Sequence, residues 1–299
     1  MMEALSPANI GLLLFGIFFV LLLIGSPIMV ALGVATMACF IVLDIDLSLM
    51  IERAFASLTA FPLMALPAFV LAGSLMEAAG VSRRLVHVAE NIVGPTPGGL
   101  AISTTLSCVF FGAISGSGVA TASAIGGITI PAMQREGYPS EFSTAIASIS
   151  SILGPIIPPS ITLIVYASIT NVSVSQLFMG SVIPGILLVG SLIVYALVLS
   201  LALVYGKRKN LPAHEKQTPK QIGHAFKEGI WALLMPIIIL GGIFGGIFTP
   251  TEAAAVAVVY ALIISLTVYR DMKLSELPQV FVEASVSTAT IMMMVGLSK

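Results

Sequence analysis

The sequence predicts an all-α, polytopic membrane protein that carries a re-entrant hairpin and a broken helix. Three observations predict it. Hydrophobic residues make up 58% of the chain and charged residues only 9%, with a mean hydropathy of +1.08, whereas a soluble domain carries about 25% charged residues. Residues 91–134 hold no charged side chain at all, a run about twice as long as one crossing needs. Two polar segments break the apolar sequence, Gly112-Ala113-Ile114-Ser115-Gly116-Ser117-Gly118 and Gly154-Pro155-Ile156-Ile157-Pro158-Pro159-Ser160.

Composition also sets limits. The net charge of −1 names no partner, and no basic patch is large enough for nucleic acid. The partner it implies is the lipid bilayer. Cys39 and Cys108 sit in apolar stretches without pairing or metal-ligand spacing, so they read as small buried hydrophobes. The apolar run from Ile10 to Ile24 has only Glu3 before it and a second apolar run after it. That is a first transmembrane helix rather than a signal peptide.

The elements follow in order. Ser26-Pro27 starts a second helix, Ser as N-cap and Pro at the first helical position, ending near Leu43. Residues 47–60 form an amphipathic segment for the interface. Residues 61–79 make a third crossing, bent at Pro62 and Pro67. Arg83, Arg84, His87 and Glu90 come next, His87 as a solvated surface histidine, and Gly94 to Gly99 turns the chain back. A hairpin spans about 98–133. Residues 142–206 are again uncharged, enough for a broken helix over about 141–170 and a closing helix over about 178–205. Residues 207–229 form a basic loop, cytoplasmic by its Lys/Arg content. Trp231 starts the next crossing, to about 248, and a further helix runs from Pro250 to about 269.

The Gly/Ser segment falls at the middle of its uncharged run, where two half-length helices would meet inside the membrane. Such a tip leaves backbone groups without helical partners, tolerated only where they line a cavity or are buried in protein. Free carbonyls and serine hydroxyls are hard oxygen donors that suit Na⁺, and half-helix N-termini suit an anion. Close packing by small residues explains Ala122, Ser123, Gly126 and Gly127 but not the alternation from Ser115 to Gly118. Prolines 155, 158 and 159 favour true unwinding of the second segment.

Residues 24–43 resemble residues 247–266, each with Ser/Thr-Pro at a helix start. Leu47-Ser48 recurs as Leu274-Ser275. Counted from the basic loop, the two copies run in opposite directions, an inverted repeat with residues 1–206 as the first copy and 230–299 as the start of the second. At this offset the counterpart of position 72 falls at Lys299. The expectation is a C-terminally truncated chain that lacks the second hairpin.

Gly241 to Ala255 (GGIFGGIFTPTEAAA) resembles a signature of the large membrane subunit of TRAP transporters, the tripartite ATP-independent periplasmic transporters. Ser115 to Ala122 and Pro155 to Ser160 resemble that family's first hairpin tip and clamshell helix. The resemblance covers essentially the whole chain. It implies an elevator-type, Na⁺-gradient-driven symporter of the bacterial inner membrane. Its substrates would be carboxylates, a C4-dicarboxylate or a sugar acid, delivered by a periplasmic binding protein, with a small TRAP membrane subunit alongside. The implied Na⁺ site is Gly112, Ser115, Gly116, Ser117 and Gly118 with Pro155, Pro158, Pro159 and Ser160. Ser115, Ser117 and Thr121 are the expected substrate contacts. No covalently bound cofactor is expected, Na⁺ serving as the coupling ion.

Pro27, Thr249, Pro250 and Glu252 read as structural. Glu252 stands two residues past Pro250, where a helix dipole favours a carboxylate. Another ion-coupled anion carrier, or a non-transporting remnant, are the alternatives. An enzyme is disfavoured, since His87, His214 and His224 lie outside the expected crossings and no Asp or Glu is expected in mid-helix.

Overall fold

A computed structural model describes residues 6–94, 96, 98–205 and 219–298. The described elements are helical throughout. Helix α1 (Pro7–Leu23) starts on the Ser6 hydroxyl with Pro7 in its first turn, and it pairs with α2 (Ile28–Val42). The expected Ser26 cap is corrected here. Pro27 itself takes the N-cap position, because its ψ of 142° is extended rather than helical. Helix α3 (Leu47–Leu58) is the amphipathic segment, capped by Asp46, whose carboxylate accepts from the Ser48 amide at 2.8 Å.

The third crossing opens as a short 3₁₀ turn over Phe61–Met64 and continues as α4 (Ala65–Ala78). Pro62 lies at the start of that turn and Pro67 in the first turn of α4, positions where a missing N–H is tolerated. The change of helix type falls between them, at residues 64 and 65. The charged stretch after it forms helix α5 (Val81–Val93), with Leu85, Val86, Val88 and Ala89 buried and Arg83 and His87 outward.

The hairpin consists of α6 (Gly99–Ser115) and α7 (Gly118–Arg135). The broken helix is α8 (Ser140–Ser151) and α9 (Ile161–Thr170), separated by non-helical residues 152–160. Asn171, in the left-handed region, ends α9. Helix α10 (Val174–Tyr205) then begins earlier than the sequence indicates, at Val174 rather than near residue 178.

Helix α11 (Pro219–Phe244) corrects a second boundary. It absorbs residues 219–229 of the expected loop and places Trp231 well inside the helix. Lys207, Arg208, Lys209 and Lys216 of the basic stretch lie outside the described residues. Helix α12 (Pro250–Ile263) passes into a π-helical turn over Ile264–Tyr269, and a 3₁₀ turn leads into α13 (Leu277–Ser298). Among the described residues, five helical stretches are long and apolar enough to cross a membrane: 61–78, 174–201, 222–244, 250–269 and 274–298.

Helix α4 is the hub. It packs against α12 and α13 on one side and α6 and α9 on the other. Lipid offers no hydrophobic drive to bring two helices together, so close backbone approach by small residues does it instead. Ala72 and Gly73 of α4, and Ala253, Ala254, Ala257 and Ala261 of α12, are all buried. A second, smaller core at the far end of the hairpin holds Leu100, Met133, Tyr138, Phe142 and Ile146, with the Tyr138 and Phe142 rings stacked at 5.7 Å.

Candidate transport site

The tip of the hairpin is two residues long. Gly116 ends α6 with φ +62°, and its N–H donates to the Gly112 carbonyl at 2.8 Å. Ser117 starts α7 as its N-cap, with its hydroxyl accepting from the Ala120 amide at 3.3 Å. The broken helix restarts in the same way. Ser160 caps α9 and accepts from the Leu163 amide at 3.2 Å, with φ and ψ within two degrees of those at Ser117. Its hydroxyl also donates to the Pro155 carbonyl across the break.

These two interruptions are pressed together. The Ile161 amide donates to the Gly116 carbonyl at 3.3 Å. A Cβ on Gly116 would lie 2.6 Å from the Pro159 carbonyl oxygen, and one on Gly118 would lie 3.2 Å from both the Pro155 ring and the Ser151 carbonyl oxygen. A Cβ on Gly154 would lie 2.8 Å from the Ser117 carbonyl oxygen and 2.9 Å from the Thr121 hydroxyl. Two helix N-termini, at Ser117 and Ser160, therefore meet near the C-terminal end of α6, beside the carbonyls of the break. Partial positive charge and carbonyl oxygens share one place, able to take an anion and a small cation side by side.

Not every expected residue takes part equally. Ser115 and Ser117 line a cavity of about 240 Å³ beneath the tip. Thr121 lies fully buried behind them. Its hydroxyl donates to the Ser117 carbonyl at 2.7 Å and stands 3.2 Å from the Ser115 hydroxyl, so it braces the tip from inside. Pro158 lines a separate apolar cavity against α10, with Val109, Val182 and Ile186. The Pro158–Pro159 bond is cis.

Glu252 completes a capping box. Its carboxylate accepts from the Thr249 amide at 2.8 Å and the Thr249 hydroxyl at 2.9 Å, while that hydroxyl accepts from the Glu252 amide. His87 is half-exposed, its Nδ1 3.7 Å from a Glu228 oxygen.

The sequence reading missed two carboxylates, and the expectation of no acid in mid-helix is overturned. Glu283 stands inside α13, and with Glu77, near the end of α4, it lines the same cavity as Ser115 and Ser117. Residues after Leu274 read only as an apolar segment, and nothing local marks α13 as the wall of the site. The signal available was a lone acid in an otherwise apolar stretch, which is costly unless it faces a cavity or protein.

The sequence matches the family model described as "Tripartite ATP-independent periplasmic transporter, DctM component" over residues 15–299. It is 44% identical over 236 residues to the C4-dicarboxylate TRAP transporter large permease protein DctM of Pseudomonas aeruginosa, covering 79% of this chain and 54% of that one. Identity is 42% over 265 residues to the protein of the same description from Vibrio cholerae, covering 87% and 56%. It is 40% over 287 residues to the isethionate TRAP transporter permease protein DctMQ of Oleidesulfovibrio alaskensis, covering 95% and 44%. The chain spans about half the length of these curated relatives.

Proposed function

The chain belongs to the DctM family of tripartite ATP-independent periplasmic transporters, multi-pass proteins of the bacterial inner membrane, and on that premise we propose that it forms the ion-coupling half of a Na⁺-driven carboxylate permease. The permease would take its substrate, a C4-dicarboxylate or a sugar acid, from a periplasmic binding protein and work beside a small membrane subunit. Relatives are named for C4-dicarboxylate and for isethionate, so the shared element is a small organic anion.

One observation carries the reading: the docking of Gly116-Ser117 on residues 154–160, backbone against backbone. Na⁺ has no use for bulky ligands. It needs several oxygens held at one distance, and unwound backbone between two helix caps supplies them without side-chain entropy to lose. A Na⁺ ion bridging the two interruptions would hold the tip closed on the broken helix. The helix ends at half-buried Ser117 and buried Ser160 would then be oriented for the anion's carboxylate, and cation and anion would each raise the affinity for the other. As in an elevator, this whole unit would then move as one body against the remaining helices.

The test is Na⁺-gradient-driven uptake in proteoliposomes holding the full-length permease, the small subunit and the binding protein. The 299-residue chain and a Ser117→Ala variant serve as comparisons. The expected result is uptake that requires Na⁺, with Ser117→Ala shifting the half-saturating Na⁺ concentration upward. Equal uptake with and without Na⁺ would overturn the coupling. Uptake by the 299-residue chain alone would show that these residues suffice for transport.

A further inference from the structure

Two cavities meet at one side chain. The inner one, about 240 Å³, lies under the hairpin tip and takes Ser74, Glu77, Ser115, Ser117, Glu283 and Ser287 into its wall. The outer one, about 800 Å³, is lined by Arg83, Arg84 and His87 of α5 together with Glu228 and Asp271. Glu77 lines both. Helices α4 and α7 run along both as continuous walls, α4 through Gly73, Glu77 and Ala78 and α7 through Ala120 and Ala124.

Charge is distributed unevenly between them. The inner cavity carries two carboxylates and no basic side chain. The Glu283 carboxylate accepts from Gln279 one turn before it, at 2.9 Å. The outer cavity mixes both signs, and its Arg84 is already engaged, 2.7 Å from Asp271 and 4.0 Å above the Tyr269 ring. Glu77 and Glu283 are both exposed in this chain. Both acids stand within helical stretches able to cross a membrane, where an ionised side chain is costly against lipid, so their faces belong to water or protein. A narrow low-dielectric passage lined by one sign of charge concentrates the opposite ion and repels its own.

We propose that the inner cavity is the passage by which the coupling cation moves between solvent and the hairpin tip, with Glu77 at the junction and Glu283 within it selecting for positive charge. The proposal rests on the reading of the tip as an ion site. It separates the two cargoes. The cation passes along α4 beneath Ser115, while an anionic substrate is turned away from this branch and must reach the helix N-termini from another side.

The experiment places a reporter side chain in the passage without replacing any of the ion ligands. Ala120 lines the inner cavity, and the native Cys39 and Cys108 are buried. Ala120→Cys is made in the full-length permease, and its modification by a cationic and by an anionic methanethiosulfonate of similar size is timed in membranes. Relative to their rates with a small free thiol in solution, the cationic reagent is expected to react about tenfold faster than the anionic one, the effect of two nearby charges in a partly aqueous path. Glu77→Gln with Glu283→Gln is expected to bring that ratio close to one, while Glu77→Asp preserves it. A neutral maleimide reacting equally with all variants shows that each is folded and open. An unchanged ratio in the double Gln variant, or a preference for the anionic reagent, overturns the proposal. The ion site itself is judged by the Na⁺ dependence of uptake in Ser117→Ala, so passage and site can fail separately.

Discussion

A methyl group on Gly112 would lie 2.8 Å from the Cα of Gly154. Hairpin and broken helix thus meet at a distance that only two glycines permit, three residues before one helix ends and three after the other ends. Gly112→Ala and Gly154→Ala are each expected to lower stability by about 1–3 kcal/mol, the usual range for overpacking. Both also widen the gap between tip and break. Thermal unfolding in detergent reads the first effect and a Na⁺ titration of uptake the second. Because the two substitutions strain one contact, the double variant should fall short of the sum.

The Arg84 guanidinium ties the start of α5 to the far end of the π-helical turn. It donates to Asp271 and to the Ala79 carbonyl at 2.9 Å while lying on the Tyr269 ring. Tyr269 donates to the Glu228 carbonyl at 3.0 Å and accepts from the Ala232 amide at 3.1 Å. With both ionic partners partly exposed, a double-mutant cycle of Arg84→Ala and Asp271→Ala should give a coupling of up to about 1 kcal/mol that shrinks in high salt. Tyr269→Phe, which removes both hydroxyl hydrogen bonds, is expected to cost about 1–2 kcal/mol. A salt-independent coupling would mean that packing, not charge, joins the two helices.

Thr249→Ala should destabilise the chain by about 1 kcal/mol through loss of the α12 N-cap. Glu252→Gln should leave thermal stability nearly unchanged, since Gln serves the same capping box. Uptake should survive it as well. A folded Glu252→Gln permease that has lost transport would return Glu252 to substrate handling.

Asp46 has its carboxyl held below the ordinary carboxylate range, first by the Ser48 amide and then by the Ser48 side chain. A depressed folded-state value means the cap's contribution is fully present above the unfolded value, about 3.9. It disappears as pH falls through the lower, folded value. Amide protection at the start of α3, taken relative to the intrinsic exchange rate at each pH, should therefore fall below about pH 4 in the native chain. In Asp46→Ala it should be low at every pH. Protection that falls with acid equally in both would remove Asp46 from the account.

The parts of this fold that were legible in the sequence are those written in local chemistry. Gly116-Ser117 and Pro155 to Ser160 break helices wherever they stand, so the hairpin and the interrupted helix were placed closely. Thr249 and Glu252, three apart after a glycine-rich turn, announce a cap. What stayed hidden depended on partners distant in sequence. Helix α5 was obscured by its charges, because Arg84 finds Asp271 only in the fold. Helix α11 starts a dozen residues before its apolar face does. Glu283 is an unremarkable acid until α13 lies along α4, bringing it beside Ser115 and Ser117.

The interruption at 152–160 also has an electrical meaning. Helix α8 has 12 residues and α9 has 10, about 18 Å and 15 Å of rise, against a hydrocarbon layer of about 30 Å. If the two helices together cross that layer, lengths so nearly equal put the gap between them near mid-depth. A cation that reached mid-depth from the positive side would have fallen through about half of the transmembrane voltage, and one from the negative side would have climbed as much, about 1 kcal/mol for each 100 mV. On the proposed reading of the hairpin tip as an ion site, its occupancy would depend on membrane potential as well as on concentration, and depolarisation alone would weaken the hold on an ion entering from the positive side.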